Sequence, residues 1–106
     1  LEGLSQLTKT IERIKVKLNP TLDIRGVLLT MFDKRNKLSA EVDKEARNFF
    51  SNKVYQTVIP RNVRLSEAPS HGIPVLIYDK NCTGSKSYLN FSEKFLKQDN
   101  VMDSAA

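Results

Sequence analysis

The chain has 106 residues, 40% hydrophobic and 27% charged, with 17 Lys and Arg against 12 Asp and Glu for a net charge of +5. That is the composition of one small globular unit or part of one, and it excludes disordered and fibrous classes. A single cysteine, Cys82, excludes an internal disulfide and a multi-cysteine zinc site, and a single histidine, His71, cannot build a histidine metal cluster, which argues against most metal hydrolases.

Leu4, Leu7, Ile11, Ile14 and Leu18 recur at spacings of three and four after Leu1, with Lys9, Glu12, Arg13, Lys15 and Lys17 between them. This predicts an amphipathic helix of about five turns that ends at Asn19-Pro20. It opens at residue 1 without a capping residue, so the expectation is that the natural chain continues upstream. Residues 24–32, IRGVLLTMF, form a nearly continuous apolar run, as in a strand buried on both faces of a parallel sheet. A polar loop, 33–37, follows it. A second helix is predicted over 39–52, with Val42, Ala46, Phe49 and Phe50 on its inner face. Residues 53–59 read as a second strand, stopped by Pro60.

Residues 61–79 hold Pro69, Gly72 and Pro74 and are read as irregular, with a short helix over 63–68. A last amphipathic helix is predicted over 83–97, carrying Tyr88, Leu89, Phe91, Phe95 and Leu96, and 98–106 as a flexible tail. The fold class expected is α/β, a fragment of a parallel sheet in the order helix-strand-helix-strand-helix-helix. Two strands make a poor sheet, so either the chain oligomerises or its partner strands have been removed, and removal is the favoured reading.

The basic excess is localised. Eight basic residues lie between positions 34 and 64 against three acidic ones, and the rest of the chain is balanced. Such a stretch suits either a solvated face or a polyanion-binding one. The phosphate-loop pattern G-x-x-x-x-G-K-[ST] is absent; Gly84-Ser85-Lys86-Ser87 matches only its end loosely and is read as a helix start. No G-x-S-x-G elbow or HExxH is present, so this chain alone is not expected to be a complete enzyme. No apolar run approaches the roughly 20 residues of a membrane span and no signal segment opens the chain, so a soluble, cytoplasmic protein is expected.

The stretch TVIPRNVRLSEAPSHG, residues 57–72, resembles the ParA/Soj chromosome and plasmid partitioning ATPases, relatives of MinD in the deviant-Walker P-loop class. The resemblance extends, in order and at similar spacing, to LEGLSQL at 1–7, GVLLTMFD at 26–33 and PVLIYD at 74–79. It covers 1–97 and is to the C-terminal part of the family's ATPase domain. The phosphate loop and the catalytic and magnesium-binding aspartates of the family would then lie upstream of Leu1. The resemblance implies ATP and Mg2+ as cofactors of a full-length parent. It also implies an ATP-bound homodimer, nonspecific DNA and a centromere-binding ParB-type protein as partners, no membrane, and a nucleoid-associated location.

The resemblance further implies that Thr30, Met31, Pro60 and Asn62 close over the adenine of ATP at the carboxyl ends of the two strands, where an open α/β sheet holds its ligands. Arg35 and Arg64 match family positions that contact DNA without sequence preference, and Lys34, Lys37 and Arg61 extend the patch. The chain departs from the family at 78–85, where YDKNCTGS lacks the usual proline and alanine. Cys82 is expected to be an exposed thiol and His71 a hydrogen-bonding loop residue. A MinD-like membrane regulator would carry a basic amphipathic helix at its C-terminus, and 99–106 has no basic residue. A small basic α/β interaction module is the third reading.

Overall fold

The computed structural model describes residues 2–105, with side chains for 2–98. Five helices follow one another: α1 (Glu2–Lys17), α2 (Lys37–Phe50), α3 (Val63–Ser70), α4 (Val75–Tyr78) and α5 (Thr83–Ala105), with a 3-10 turn at Ser51–Lys53 after α2. Helix α2 starts two residues before the periodicity suggests because Asn36 caps it, its side-chain oxygen accepting from the Leu38 N–H at 2.9 Å. Lys37 is therefore the first residue of a helix and not part of the loop. Asn62 caps α3 in the same way, accepting from the Arg64 N–H at 2.9 Å. The segment after α3, expected to be irregular, contains the single turn α4, which follows Pro74. Helix α5 is continuous to Ala105, beyond the predicted 97, and most of the expected tail lies outside the described side chains.

The two predicted strands are corrected by the structure. Both segments are extended and run parallel, but among the described residues they are joined only by isolated bridges, Val27 to Val54 and Phe32 to Pro60. The reason is register. The bridges are five residues apart on the first segment and six on the second; between them Leu29 C=O accepts from Ile59 N–H where a continuous ladder would use Thr57, so the second segment gains two residues across the bend at Gln56 and the first regains one at Met31. The pairing begins with Val27 N–H to Lys53 C=O at 2.9 Å and Tyr55 N–H to Val27 C=O at 3.0 Å. It resumes with Ile59 N–H to Leu29 C=O at 2.9 Å.

Pro60 does not stop the pairing. A parallel bridge at this position uses the carbonyl of Ile59, which accepts from Phe32 N–H at 3.0 Å, and the N–H of Arg61, which donates to Phe32 C=O at 3.0 Å. The missing proline N–H is not called on.

Helices α3, α4 and α5 pack together, while α1 makes no close backbone approach to another helix and has no fully buried residue. Among the described residues the fully buried side chains are few: Ala46 from α2, Val54 and Ile59 from the second extended segment, Ala68 from α3 and Ser85 from α5. Ser85 is the best satisfied of them, donating to Asp79 C=O at 2.6 Å and lying 3.2 Å from Val75 C=O, which ties α5 to the end of α4. An aromatic layer covers the extended pair from the α5 side. Tyr55 meets Phe91 edge-on with ring centroids 4.9 Å apart, and Arg25 lies 4.7 Å over the Phe95 ring. Gly26 is required beneath this layer, because a Cβ there would overlap the Tyr55 ring.

Candidate functional site

The loops that leave the two bridged segments meet at one end of the pair and enclose a cleft of about 890 Å3. The first loop brings Thr30, Met31, Lys34 and Arg35; the second brings Pro60, Arg61 and Asn62. Residues expected to bind the base and residues expected to bind DNA thus share one concavity, although they come from segments thirty positions apart in sequence.

The first loop is held by its own polar atoms. Asp33 accepts from the Arg35 N–H at 3.0 Å, its own N–H donates to Ser39 Oγ at 3.2 Å, and Asn36 N–H donates to Asp33 C=O at 3.0 Å. The Arg35 N–H is the main reason the Asp33 carboxyl sits below the usual carboxylate range; the Arg35 guanidinium and the charge of Arg61 act in the same direction, against an opposing effect of burial. Arg35 reaches Asp33 through Nε at 3.4 Å, yet its side chain is 93% exposed, so most of its donors face solvent. Met31 takes a left-handed backbone, φ 55°, with 69% of its surface exposed. A non-glycine residue in that conformation is strained, by about 1 kcal/mol or more, and such strain is characteristic of binding loops.

On the second loop, the Asn62 amide is already at work. Its oxygen caps α3 and its nitrogen donates to Thr83 Oγ1 at 2.9 Å, which leaves one N–H for a ligand. Pro60 is half-buried and Thr30 exposed. Phe32, Leu65, Ser87 and Tyr88 also line the cleft and were not anticipated as site residues. Helical spacing marks Tyr88 as one of the aromatic and apolar residues carried by α5, but what it lands against is a tertiary property.

Two of the expected DNA contacts lie outside the cleft. Lys37 is exposed at the start of α2. Arg64, in the first turn of α3, is engaged by two carboxylates: its Nη1 donates to Glu67 Oε2 at 3.0 Å and its Nε faces Asp79 Oδ2 at 3.4 Å. The Tyr78 hydroxyl donates to the same Glu67 oxygen at 2.6 Å. These contacts pull the Glu67 carboxyl below its ordinary value, first through Tyr78 and then through Arg64, and they push the Tyr78 hydroxyl up, chiefly through Glu67. His71 stacks on the Tyr78 ring at 4.9 Å between centroids, a ring contact where a hydrogen bond had been expected. Cys82 is half-buried, against the exposed thiol expected, and its sulfur accepts from the Ser85 N–H at 3.4 Å.

The cleft joins an apolar slot, Met31, Phe32 and Pro60, to a basic rim of Lys34, Arg35 and Arg61. That pairing suits a planar base or an anionic polymer. Among the described residues no three His, Cys, Asp or Glu side chains are placed to share a metal ion.

Residues 2–75 match the CobQ/CobB/MinD/ParA nucleotide binding domain. The chain is 56% identical over 99 residues to the chromosome partitioning protein ParA of Caulobacter vibrioides, covering 93% of this chain and 37% of that protein. It is 52% identical over 94 residues to the sporulation initiation inhibitor protein Soj of Bacillus subtilis, covering 89% of this chain and 37% of that protein. With the chromosome-partitioning ATPase Soj of Treponema pallidum the identity is 46% over 99 residues, 93% of this chain and 39% of that protein. The chain thus spans somewhat over a third of the length of these relatives. A family match over residues 2–75, with these identities over about nine-tenths of the chain, establishes that the chain belongs to the CobQ/CobB/MinD/ParA nucleotide-binding family and is similar to the ParA/Soj partitioning proteins within it.

Proposed function

We propose that the chain is the C-terminal part of a ParA/Soj-like partitioning ATPase, in which it supplies the base-binding end of an ATP site and a basic surface for nonspecific DNA. The observation that carries this reading is the convergence of Thr30, Met31, Pro60 and Asn62 on one cleft of about 890 Å3, rimmed by Lys34, Arg35 and Arg61. In this proposal the two bridged segments are part of a wider parallel sheet. The side chains present suit the base: an apolar slot and the remaining Asn62 N–H can bind and orient a planar ring. The phosphate groups and Mg2+ would be held by parts of the longer relatives that this chain does not span. Bound ATP would supply the hydrolysable phosphate bond, and this chain's residues would position its base and exclude water from it. Homodimerisation, a centromere-binding ParB-type partner and a nucleoid-associated location in the cytoplasm belong to the same proposal.

Two measurements on the full-length protein test it. Met31→Glu places a carboxylate in the apolar slot and should weaken binding of a fluorescent ATP analogue by about tenfold or more, because the charge must be desolvated when the base enters. Unchanged affinity in a folded variant would remove the base-binding assignment. Arg35→Glu should weaken binding to DNA of any sequence and lower the slope of log affinity against log salt by about one unit, since one phosphate contact and its released counterion are lost. Lys34→Glu should act similarly but less, lacking the two-donor geometry of arginine, and Glu93→Lys on α5 serves as the charge control. Identical affinity and slope for Arg35→Glu and the unaltered protein would leave the basic stretch as a solubilising face.

A further inference from the structure

We propose that Glu67 and Asp79 form an internal counter-ion clamp that withholds Arg64 from nucleic-acid phosphates, so that full engagement of DNA at this corner requires the guanidinium to be released. The inference rests on the DNA-binding reading given above and adds a control element to it.

The clamp is built from two helical elements. Arg64 and Glu67 stand one turn apart on α3, and Asp79 follows directly on α4. Nη1 of Arg64 donates to Glu67 Oε2 at 3.0 Å while Nε faces Asp79 Oδ2 at 3.4 Å, so two edges of one guanidinium meet two carboxylates. Glu67 is itself held in place, because the Tyr78 hydroxyl donates to the same oxygen at 2.6 Å and the His71 ring stacks on Tyr78. One cation faces two anions, so the three paired side chains together carry a net negative charge. That is the wrong sign for attracting phosphate, although arginine is the side chain best shaped to hold one. Arg35 makes the contrast: a single carboxylate reaches it at 3.4 Å and its side chain is 93% exposed. Arg35 is thus open to DNA, whereas Arg64 is half-exposed and already occupied.

The clamp differs from a simple positioning device in its predicted sign. If the carboxylates merely aimed Arg64 at DNA, removing them would weaken binding. If they compete with phosphate, removing either charge strengthens it. The test uses the full-length protein with ATP and a mixed-sequence duplex, titrated over a range of salt. Glu67→Gln keeps an oxygen for the Tyr78 hydroxyl, and Asp79→Asn keeps the oxygen that accepts from Asn81 N–H at 3.3 Å. Each should tighten DNA binding by up to about fivefold, the upper end of what an exposed ion pair commands, and steepen the salt slope. Arg64→Ala alone should weaken binding, and in that background either carboxylate variant should bring a clearly smaller gain, from the removed charge alone.

An equal gain with and without Arg64 would overturn the clamp, since the carboxylates would then act only through overall charge. A loss or no change for both carboxylate variants, with Arg64→Ala still weakening binding, would overturn it while leaving Arg64 as a DNA contact. Arg64→Ala without effect on affinity or slope would instead remove the DNA reading of Arg64 on which the clamp stands. Should Glu67→Gln fail to fold, Asp79→Asn decides the matter alone.

Discussion

Glu67 shows how one oxygen can join two helices. It accepts from Tyr78 at 2.6 Å and from Arg64 at 3.0 Å, and both contacts favour its charged form. Its lowered pKa means the folded state binds the proton less readily than the unfolded chain. The stability it contributes is therefore present above the ordinary glutamate range, near 4.3, and is lost as pH falls through the lower folded value. Tyr78 has the opposite sign. Its hydroxyl is pushed up, so its contribution is complete below the ordinary tyrosine value, near 10, and is lost as pH rises through the folded one. Tyr78→Phe removes the tyrosine effect and the largest single cause of the glutamate one, leaving the contribution of Arg64. Carboxyl titration by NMR in the full-length protein should show the Glu67 midpoint below the ordinary value and moving upward in Tyr78→Phe. An unmoved midpoint would mean that the hydroxyl is not its main partner.

At the scale of elements, the cleft depends on how closely α5 approaches α3. Gly84, in the first turn of α5, is buried, and a Cβ there would lie 2.6 Å from Cγ of Leu65, which lines the cleft. Cγ is the branch point of that side chain, so relief needs a shift of the helix as well as a rotamer change. Alanine would gain up to about 1 kcal/mol of helix propensity, but overpacking at this contact costs about 1–3 kcal/mol. The clash should therefore win. Gly84→Ala is expected to lower the unfolding free energy of the full-length protein by about 1 kcal/mol in chemical denaturation and to weaken ATP binding with it. A variant more stable than the parent would show that α5 does not press on Leu65.

For the molecule as a whole, the radius of gyration is 16.1 Å, whereas a compact domain of this length has about 13 Å. Among the described residues thirteen large apolar side chains are exposed, including Leu7 and Ile14 on α1, Leu18 just after it, and Leu76 and Ile77 on α4. With so thin a core, surface on that scale seeks a cover. The isolated 106-residue chain should therefore self-associate or remain loosely packed, and it should not hydrolyse ATP, because it lacks a phosphate loop. Light scattering that reports a monomer with a sharp, cooperative melt would contradict the first expectation. Turnover that co-purifies with the chain and survives removal of contaminants would contradict the second.

The helices were readable from sequence because their signals are local. Apolar spacing located α1, α2 and α5, and the polar loop at 33–37 marked where the first extended segment ends. The family could be recognised because residues 57–72 carry a long run of specific side chains. Regular strands could not be judged in the same way, since a ladder requires register between segments, and the offsets at Gln56 and Met31 are visible only once both are aligned. The capping roles of Asn36 and Asn62 were within reach of sequence reasoning, but the second bond of Asn62, to Thr83, was not. Arg64 makes the same point. Its spacing to Glu67 is a helical neighbour relation, whereas Tyr78 and Asp79 reach it only because α4 folds back on α3. Local periodicity specifies which residues share a face, and packing between elements specifies which charges meet; that second step sets whether an arginine is open to a partner or already held.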